Sequence, residues 1–241
     1  MPLIEEQIKT GNWLFKYRSY LPASLFVLYY VGLNQVDKSL ELFQQYNWLV
    51  FCFCISLFGQ FIRIISVGKV PIGTSGRNTK QQKAVSVNKS GIYSIVRHPL
   101  YLGNYFMWLG MFLLIPIIWL QIIFSLIYWI YYERIMIAEE EFLRDKFGSD
   151  YTDWASHVPA FFPSFKWFVN NPLPYKYKNI IKREYTSLSA MIFLFLLLII
   201  FNNGIAFGNW QLNKGLKIAL GTTILFYFII RLIKKKTNLL N

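Results

Sequence analysis

Two clusters of polar residues stand beside long apolar runs, and their residue types suit the binding of a small charged molecule. The first cluster, Arg97-His98-Pro99, opens an apolar run. A histidine there is a poor interfacial anchor and is costly to bury in lipid. The free N–H groups at the start of a helix favour an anion such as a carboxylate. Gly103 and Asn104 continue a small, polar face by about one turn. An interfacial anchor with a first-turn proline is the equally open alternative.

The second cluster, Glu139-Glu140-Glu141, follows the end of another apolar run. Carboxylates at a membrane boundary are costly unless they are hydrated or paired, so they indicate a functional site. They suit ribose hydroxyls, an amino group or a sulfonium. Consecutive helical residues face about 100° apart, so at most two of the three can address one pocket. The alternative is a solvated helix end in which Glu141 balances the basic residues that follow it.

The composition indicates that membrane helices must position these clusters. Of the 241 residues, 55% are hydrophobic and 15% are charged, which is too apolar for a soluble core of this size. We therefore predict an all-α, polytopic integral membrane protein with about six transmembrane helices. The third and fourth, separated near Pro116, are predicted to form a tight helical hairpin, or else a shallow or re-entrant element. The six apolar runs are Ser19–Val36, Tyr46–Val67, Leu100–Ile118, Trp119–Ala138, Leu188–Ile205 and Gly215–Ile233.

The distribution of charge predicts the orientation of these helices. Twenty of the 25 Lys and Arg residues fall on one side of a six-span arrangement, and only Lys38, Lys214 and Lys217 fall on the other. Arg63 and Arg134 lie within spans, near the basic side. The positive-inside rule makes the basic side cytoplasmic, so we expect both termini and a cofactor site there. The basic residues are dispersed between apolar runs, so we expect no nucleic-acid partner, and the sequence predicts no metal site.

The order and spacing of four motifs are similar to those of one family. Arg97-His98-Pro99-x-Tyr101-x-Gly103, Glu139-Glu140-x-x-Leu143, Phe147-Gly148-x-x-Tyr151 and Val158-Pro159-x-x-x-Pro163 together resemble the isoprenylcysteine carboxyl methyltransferase and phospholipid methyltransferase superfamily. The resemblance implies an S-adenosylmethionine site at the cytoplasmic face, with a lipid acceptor entering sideways from the bilayer. The cofactor-binding candidates are Tyr93, His98, Pro99, Tyr101, Gly103, Asn104, Glu139 and Glu140.

The resemblance divides the chain into three segments. Residues 1–90 hold the N-terminal spans and a basic cytoplasmic loop, and residues 91–165 hold the methyltransferase core. Residues 166–241 hold a linker and two further spans, where the family usually stops soon after its final prolines. These two spans could shape an acceptor tunnel, mediate assembly or do neither. The oligomeric state is left open.

The acceptor is predicted from the loop Gly73–Lys83, which is rich in hydroxyl, amide and basic groups and contains no acid. Such groups suit a phosphate, although a flexible loop attracted to anionic lipid heads is an equal alternative. We expect an anionic oxygen as acceptor, either a lipid phosphate or a prenylcysteine-type carboxylate. The loop resembles that of bacterial relatives that methylate lipid A phosphate, which favours a bacterial inner membrane. Arg77, Arg97 and Arg134 are the candidates to orient the anionic head.

Three other functions compete with this prediction. A phospholipid amine N-methyltransferase would need a base for its acceptor, and Glu140 or His98 would be the candidate. An NADPH-dependent membrane reductase of the sterol type resembles the same superfamily, but its acids usually stand in an Arg-Asp-rich context. A non-enzymatic membrane scaffold would not need this order of motifs.

Overall fold

The computed structural model describes residues 2–36, 45–71, 82 and 84–237, and over these residues the chain is all-α, as predicted. Short 3-10 turns precede the second and fourth helices. The helices are α1 (Leu3–Tyr17), α2 (Leu25–Asn34), α3 (Tyr46–Gly68), α4 (Pro99–Phe112), α5 (Ile118–Phe147), α6 (Ser149–Ala155), α7 (Tyr177–Phe207) and α8 (Lys214–Lys236).

Four of these helices, α3, α5, α7 and α8, are long and apolar enough to cross a membrane. Helix α4 has 14 residues and rises about 21 Å, which is less than the roughly 30 Å of a hydrocarbon core. It ends at Phe112, before the predicted Ile118, because the chain turns ahead of Pro116, which lacks the N–H to continue a helix. The polytopic architecture is confirmed, and spanning by α2 and α4 stays a prediction.

Helices α4 and α5 form the predicted tight hairpin, joined by residues 113–117. The Tyr128 hydroxyl on α5 donates to the carbonyl of Tyr101 on α4 at 2.7 Å. Further along, the hydroxyls of Tyr105 and Ser125 lie 3.0 Å apart. These contacts fix an antiparallel register, which places the start of α4 beside the charged end of α5.

Helix α3 packs closely along α4 through small residues. A Cβ at Gly59 would clash with the Gly103 carbonyl, and one at Gly110 would clash with the Cys52 carbonyl. Glycine at these positions lets the two backbones approach, as is typical of membrane helix pairs. The charged end of α3 is thereby held against the start of α4.

Helices α1 and α7 flank this bundle on two sides. Gly11 of α1 packs against the backbone carbonyl of Arg134 on α5. Helix α7 runs antiparallel to α3, with the rings of Phe53 and Phe195 5.2 Å apart, and α8 folds back on the outer side of α7. The ends of α3, α4 and α5 therefore meet in a space bordered by α1 and α7.

Candidate active site

A cavity of about 380 Å³ lies where the end of α3, the start of α4 and the end of α5 converge. Its volume falls within the roughly 300–1,000 Å³ that is typical of small-molecule sites. Phe15 and Arg18, at the end of α1, form part of its wall. Six of the predicted cofactor-binding residues also line it: Tyr93, His98, Pro99, Tyr101, Asn104 and Glu139.

His98 lies between the two predicted glutamates. It is 8% exposed and stands directly before α4, and its Nε2 lies 2.9 Å from Oε1 of Glu140. Its Nδ1 lies 3.6 Å from Oε2 of Glu139. Glu141 faces away and pairs with Arg144 on the helix surface. Two of the three consecutive acids therefore address the histidine, which is the limit that helical geometry sets.

Arg97 holds Glu140 from the other side. Its Nε and Nη2 donate to the two carboxylate oxygens of Glu140 at 2.9 and 3.1 Å, which is a bidentate pair. Its Nη1 donates to the carbonyls of Ala155 and Val158 at 2.6 and 2.9 Å. Arg97 lines the cavity, but these four hydrogen bonds engage its guanidinium within the protein.

The backbone around His98 is fixed by the segment that carries the final predicted motif. The N–H groups of Arg97 and His98 donate to the carbonyls of Pro159 and Ala160 at 2.9 and 3.1 Å. Further along, the Ser164 N–H donates to the carbonyl of Ile95 at 2.9 Å. The Val158–Pro163 motif thus supports the Arg97–His98 segment through main-chain hydrogen bonds.

The surroundings of His98 shift its pKa in two opposing directions. Burial lowers the pKa, because it penalises the charged imidazolium, whereas the hydrogen bonds and charges of Glu139 and Glu140 raise it. The acids outweigh burial, and the net pKa lies above the usual value of 6.5. The two carboxylates therefore stabilise the protonated imidazole relative to that of a free histidine.

The raised pKa predicts a pH-dependent contribution of His98 to stability. That contribution is fully present below the unfolded-state pKa and is lost as the pH rises through the higher folded-state pKa. We expect the difference in Tm between the wild type and His98→Gln to be larger at pH 6 than at pH 9, measured by thermal unfolding in detergent. A difference that stays constant or grows with pH would contradict this interpretation.

Three predicted site residues lie off the cavity wall, and a fourth lies outside the described residues. Gly103 faces α3, where a Cβ would meet the Arg63 side chain and the Gly59 carbonyl. Glu140 stands behind His98, off the cavity wall, because Arg97 and His98 use its carboxylate. Arg134 is also off the wall, and its backbone carbonyl packs against α1. Arg77 lies outside the described residues, as does most of its loop, but Gln82 at the loop end lines the cavity.

The ion pair of Arg63 and Glu184 was not identified as part of the site from the sequence. Arg63 on α3 lines the cavity, and its guanidinium forms a bidentate pair with the buried Glu184 of α7. The sequence feature that could have identified Arg63 is its isolated charge within an apolar run, because such a charge needs a partner in the membrane. Glu184 carried no comparable signal, because it lies among basic residues before the predicted fifth span.

The cavity wall fits a nucleoside with a charged side chain. The indole N–H of Trp154 is buried at the wall and has no hydrogen-bond acceptor among the described residues. A bound nucleoside would satisfy this donor, since buried polar groups are rarely left unpaired. Glu139 supplies acceptors for hydroxyl or amino groups, and Arg63 and Asn104 supply donors.

A second, apolar groove of about 670 Å³ lies beside the cavity, between α4 and α5. Leu109, Ile122 and Trp129 are among the residues that line it. Tyr128 belongs to its wall and stacks on Tyr132 of the first cavity, with ring centroids 4.3 Å apart. One pair of stacked rings therefore separates the polar cavity from an apolar surface.

Comparisons with known proteins agree with the predicted resemblance. Residues 47–150 match the phospholipid methyltransferase family model, which confirms the resemblance to that superfamily. The chain is 33% identical over 109 residues to protein-S-isoprenylcysteine O-methyltransferase of Schizosaccharomyces pombe, covering 44% of this chain and 45% of that protein. It is 31% identical over 87 residues to the nickel-cobalt-cadmium resistance protein NccN of Alcaligenes xylosoxydans xylosoxydans, covering 36% and 40%.

The matched chain spans less than half of the length of these two curated relatives. No solved structure matches it. Within the described part of the chain, no group of three or more His, Cys, Asp or Glu residues is placed to hold a metal ion.

Proposed function

We infer that this chain, whose residues 47–150 match the phospholipid methyltransferase family, is a membrane methyltransferase that uses S-adenosylmethionine. The observation that carries the inference is the position of His98 between Glu139 and Glu140, on the wall of a cavity built mainly by the matched segment. The charge asymmetry of the loops supports a cytoplasmic opening for this cavity.

The residues of the cavity would hold the cofactor through complementary polar groups. When bound, S-adenosylmethionine supplies an electrophilic methyl group on a sulfonium. Glu139 would accept hydrogen bonds from its hydroxyl or amino groups, while Trp154 would donate to its base. Glu140 and Arg97 would keep the His98 imidazole in place. The protein's main contribution would be to hold the two reactants at near-attack distance.

An anionic oxygen is the acceptor that this geometry favours. Such an oxygen needs no general base, whereas an amine must first lose a proton. The Glu140 carboxylate is already engaged by Arg97 and His98, and both ring nitrogens of His98 face the glutamates, so neither group is well placed to take that proton. The name of the yeast relative, an O-methyltransferase, points the same way.

The apolar groove between α4 and α5 would hold the hydrocarbon part of the acceptor. It borders the cavity through the stacked Tyr128 and Tyr132 rings, so a lipid head could lie near the cofactor while its chain stays in an apolar environment. A prenylcysteine-type carboxylate or a lipid phosphate would both satisfy this arrangement.

Cofactor binding tests the proposal directly. We expect the detergent-solubilised protein to bind S-adenosylmethionine saturably and to show no binding of NADPH in calorimetric titrations. His98→Ala should weaken S-adenosylmethionine binding about tenfold, the equivalent of one lost charged hydrogen bond. His157→Ala is the matched control, because this is the other histidine of the chain and it is exposed on the surface.

The acceptor is identified by incubating the enzyme with S-adenosylmethionine labelled on the methyl group and a total lipid extract. We expect the label on a lipid that bears a carboxylate or a phosphate; a carboxylate methyl ester would release it in mild alkali, whereas a phosphate methyl ester would retain it. Label found only on an amine head group would support N-methylation instead. Saturable NADPH binding without S-adenosylmethionine binding would overturn the methyltransferase proposal in favour of the reductase.

A further inference from the structure

A second polar network lies beyond the His98 cluster, where α3, α4 and α7 meet. Arg63 donates from Nε and Nη2 to the two carboxylate oxygens of Glu184, both at 2.9 Å. Its Nη1 donates to Oδ1 of Asn104 at 2.7 Å. Gln60 adds a hydrogen bond from Nε2 to Glu184 at 3.0 Å. Glu184 is 4% exposed, so its carboxylate depends on these hydrogen bonds in place of solvent.

This network occupies the inner end of the cavity, and His98 and Glu139 occupy the outer end. Asn104 lies six residues beyond His98 along α4, which is a rise of about 9 Å. On the antiparallel α5, Tyr132 precedes Glu139 by seven residues, which is a similar distance in the same direction. Arg63, Asn104 and Tyr132 all line the cavity, whereas Glu184 stands behind Arg63. The two ends therefore differ in chemistry.

The inner end is rich in hydrogen-bond donors. Among the described residues, Glu184 and Asn104 use three of the five N–H groups of Arg63, which leaves two for a ligand. Because Oδ1 of Asn104 accepts from Arg63, the amide of Asn104 is fixed with its NH₂ group beside the Tyr132 hydroxyl. Planar donors of this kind suit the two oxygens of a carboxylate.

We propose that Arg63 and Asn104 form a carboxylate-binding site at the inner end of the cavity, and that Glu184 is the positioning residue that orients Arg63. The proposal rests on the proposed methyltransferase function. Two carboxylates could occupy the site: that of the amino-acid part of S-adenosylmethionine, or that of the acceptor lipid. Glu184 lies outside the matched residues 47–150, so α7 would complete a site that the matched core contains only in part.

The choice of variants must avoid an unpaired buried charge. Removing Arg63 alone would leave the buried carboxylate of Glu184 without its bidentate hydrogen-bonding partner and could prevent folding. The double variant Arg63→Gln/Glu184→Gln keeps hydrogen-bonding groups at both positions and leaves no charge. Arg63→Lys retains the charge but loses the planar pair of donors. Arg231→Gln on α8 is the matched control, since this arginine is exposed and contacts Tyr227.

Two nucleoside ligands separate the possible sources of the carboxylate. S-adenosylhomocysteine carries the amino-acid part, and 5′-methylthioadenosine lacks it. If the cofactor supplies the carboxylate, the double variant and Arg63→Lys should bind S-adenosylhomocysteine about 10- to 100-fold more weakly and 5′-methylthioadenosine with unchanged affinity. If the acceptor supplies it, both ligands should bind as to the wild type, while the KM for the lipid rises by a similar factor. Either result supports the site.

Two results would overturn the inference while leaving the proposed function intact. One is an equal loss of affinity for both nucleosides, because that would indicate a purely structural network. The other is wild-type affinity for both nucleosides together with an unchanged KM for the lipid. Failure of the wild-type protein to bind S-adenosylhomocysteine at all would instead refute the methyltransferase proposal, so the two failures are distinguishable.

Discussion

The substitution Glu140→Gln is expected to lower the rate of methyl transfer about 100-fold, the equivalent of about 2.7 kcal/mol of lost transition-state stabilisation. The Glu140 carboxylate accepts two hydrogen bonds from Arg97 and lies 2.9 Å from Nε2 of His98. Charged hydrogen bonds contribute about 1.5–3 kcal/mol each, and a neutral amide can replace only part of them. With this carboxylate gone, His98 and Arg97 would lose the group that holds both of them.

The matched control for this variant is Glu141→Gln, the same substitution one residue away. Glu141 pairs with Arg144 on the helix surface, where an ion pair contributes about 0–1 kcal/mol. Initial rates with labelled S-adenosylmethionine should therefore differ widely between the two variants, at similar Tm for Glu141→Gln and the wild type. Equal losses of activity at both positions would show that Glu140 has no special role.

Replacing Arg63 alone with methionine is expected to reduce the free energy of unfolding by about 3–5 kcal/mol. The substitution leaves the carboxylate of Glu184 buried on α7 without its bidentate partner. The double variant Arg63→Met/Glu184→Met removes both charges and should recover most of the loss, since well-packed apolar residues often replace a buried ion pair at little cost. The two single effects should therefore be strongly non-additive.

The non-additivity is measured with a double-mutant cycle, in which Arg63→Met, Glu184→Met and the double variant are unfolded in the same detergent. Variants whose free energies of unfolding differ by several kcal/mol separate clearly in Tm. Additive effects of the two substitutions would mean that the pair is not coupled as the contacts indicate. Methyl-transfer activity need not recover in the double variant, because the proposed carboxylate-binding site at the inner end of the cavity would lack Arg63.

The meeting of His98 with Glu139 and Glu140 could be predicted from the sequence, because a hairpin near Pro116 places the start of one helix beside the end of the other. The types of these residues were also informative, since acids and a histidine at a membrane boundary require partners. Helical geometry limited the pocket to two of the three acids, and the structure shows that Glu141 is the one on the surface. Local patterns were sufficient here because α4 and α5 are neighbours in the chain.

The pairing of Arg63 with Glu184 could not be predicted, because 121 positions separate the two residues and no local pattern joins α3 to α7. Glu184 also stands beside Lys182 and Arg183, so hydropathy places it outside the fifth span, although α7 begins at Tyr177. The partners of Arg97 were also not predictable. An arginine at this position suggested a group that orients the anionic acceptor, but two of its four hydrogen bonds go to backbone carbonyls, which no residue type in the sequence indicates.

The way α1 lies along the end of α5 bears on how the protein can be dissected. A fragment trimmed to the matched residues 47–150 would lack Phe15 and Arg18 on one side and Glu184, the partner of Arg63, on the other. Removing α1 would therefore open the cavity wall. Removing α7 would leave Arg63 without its carboxylate partner. The stretch that keeps both the cavity wall and the Arg63–Glu184 pair extends from the first helix through the seventh, beyond the matched residues 47–150.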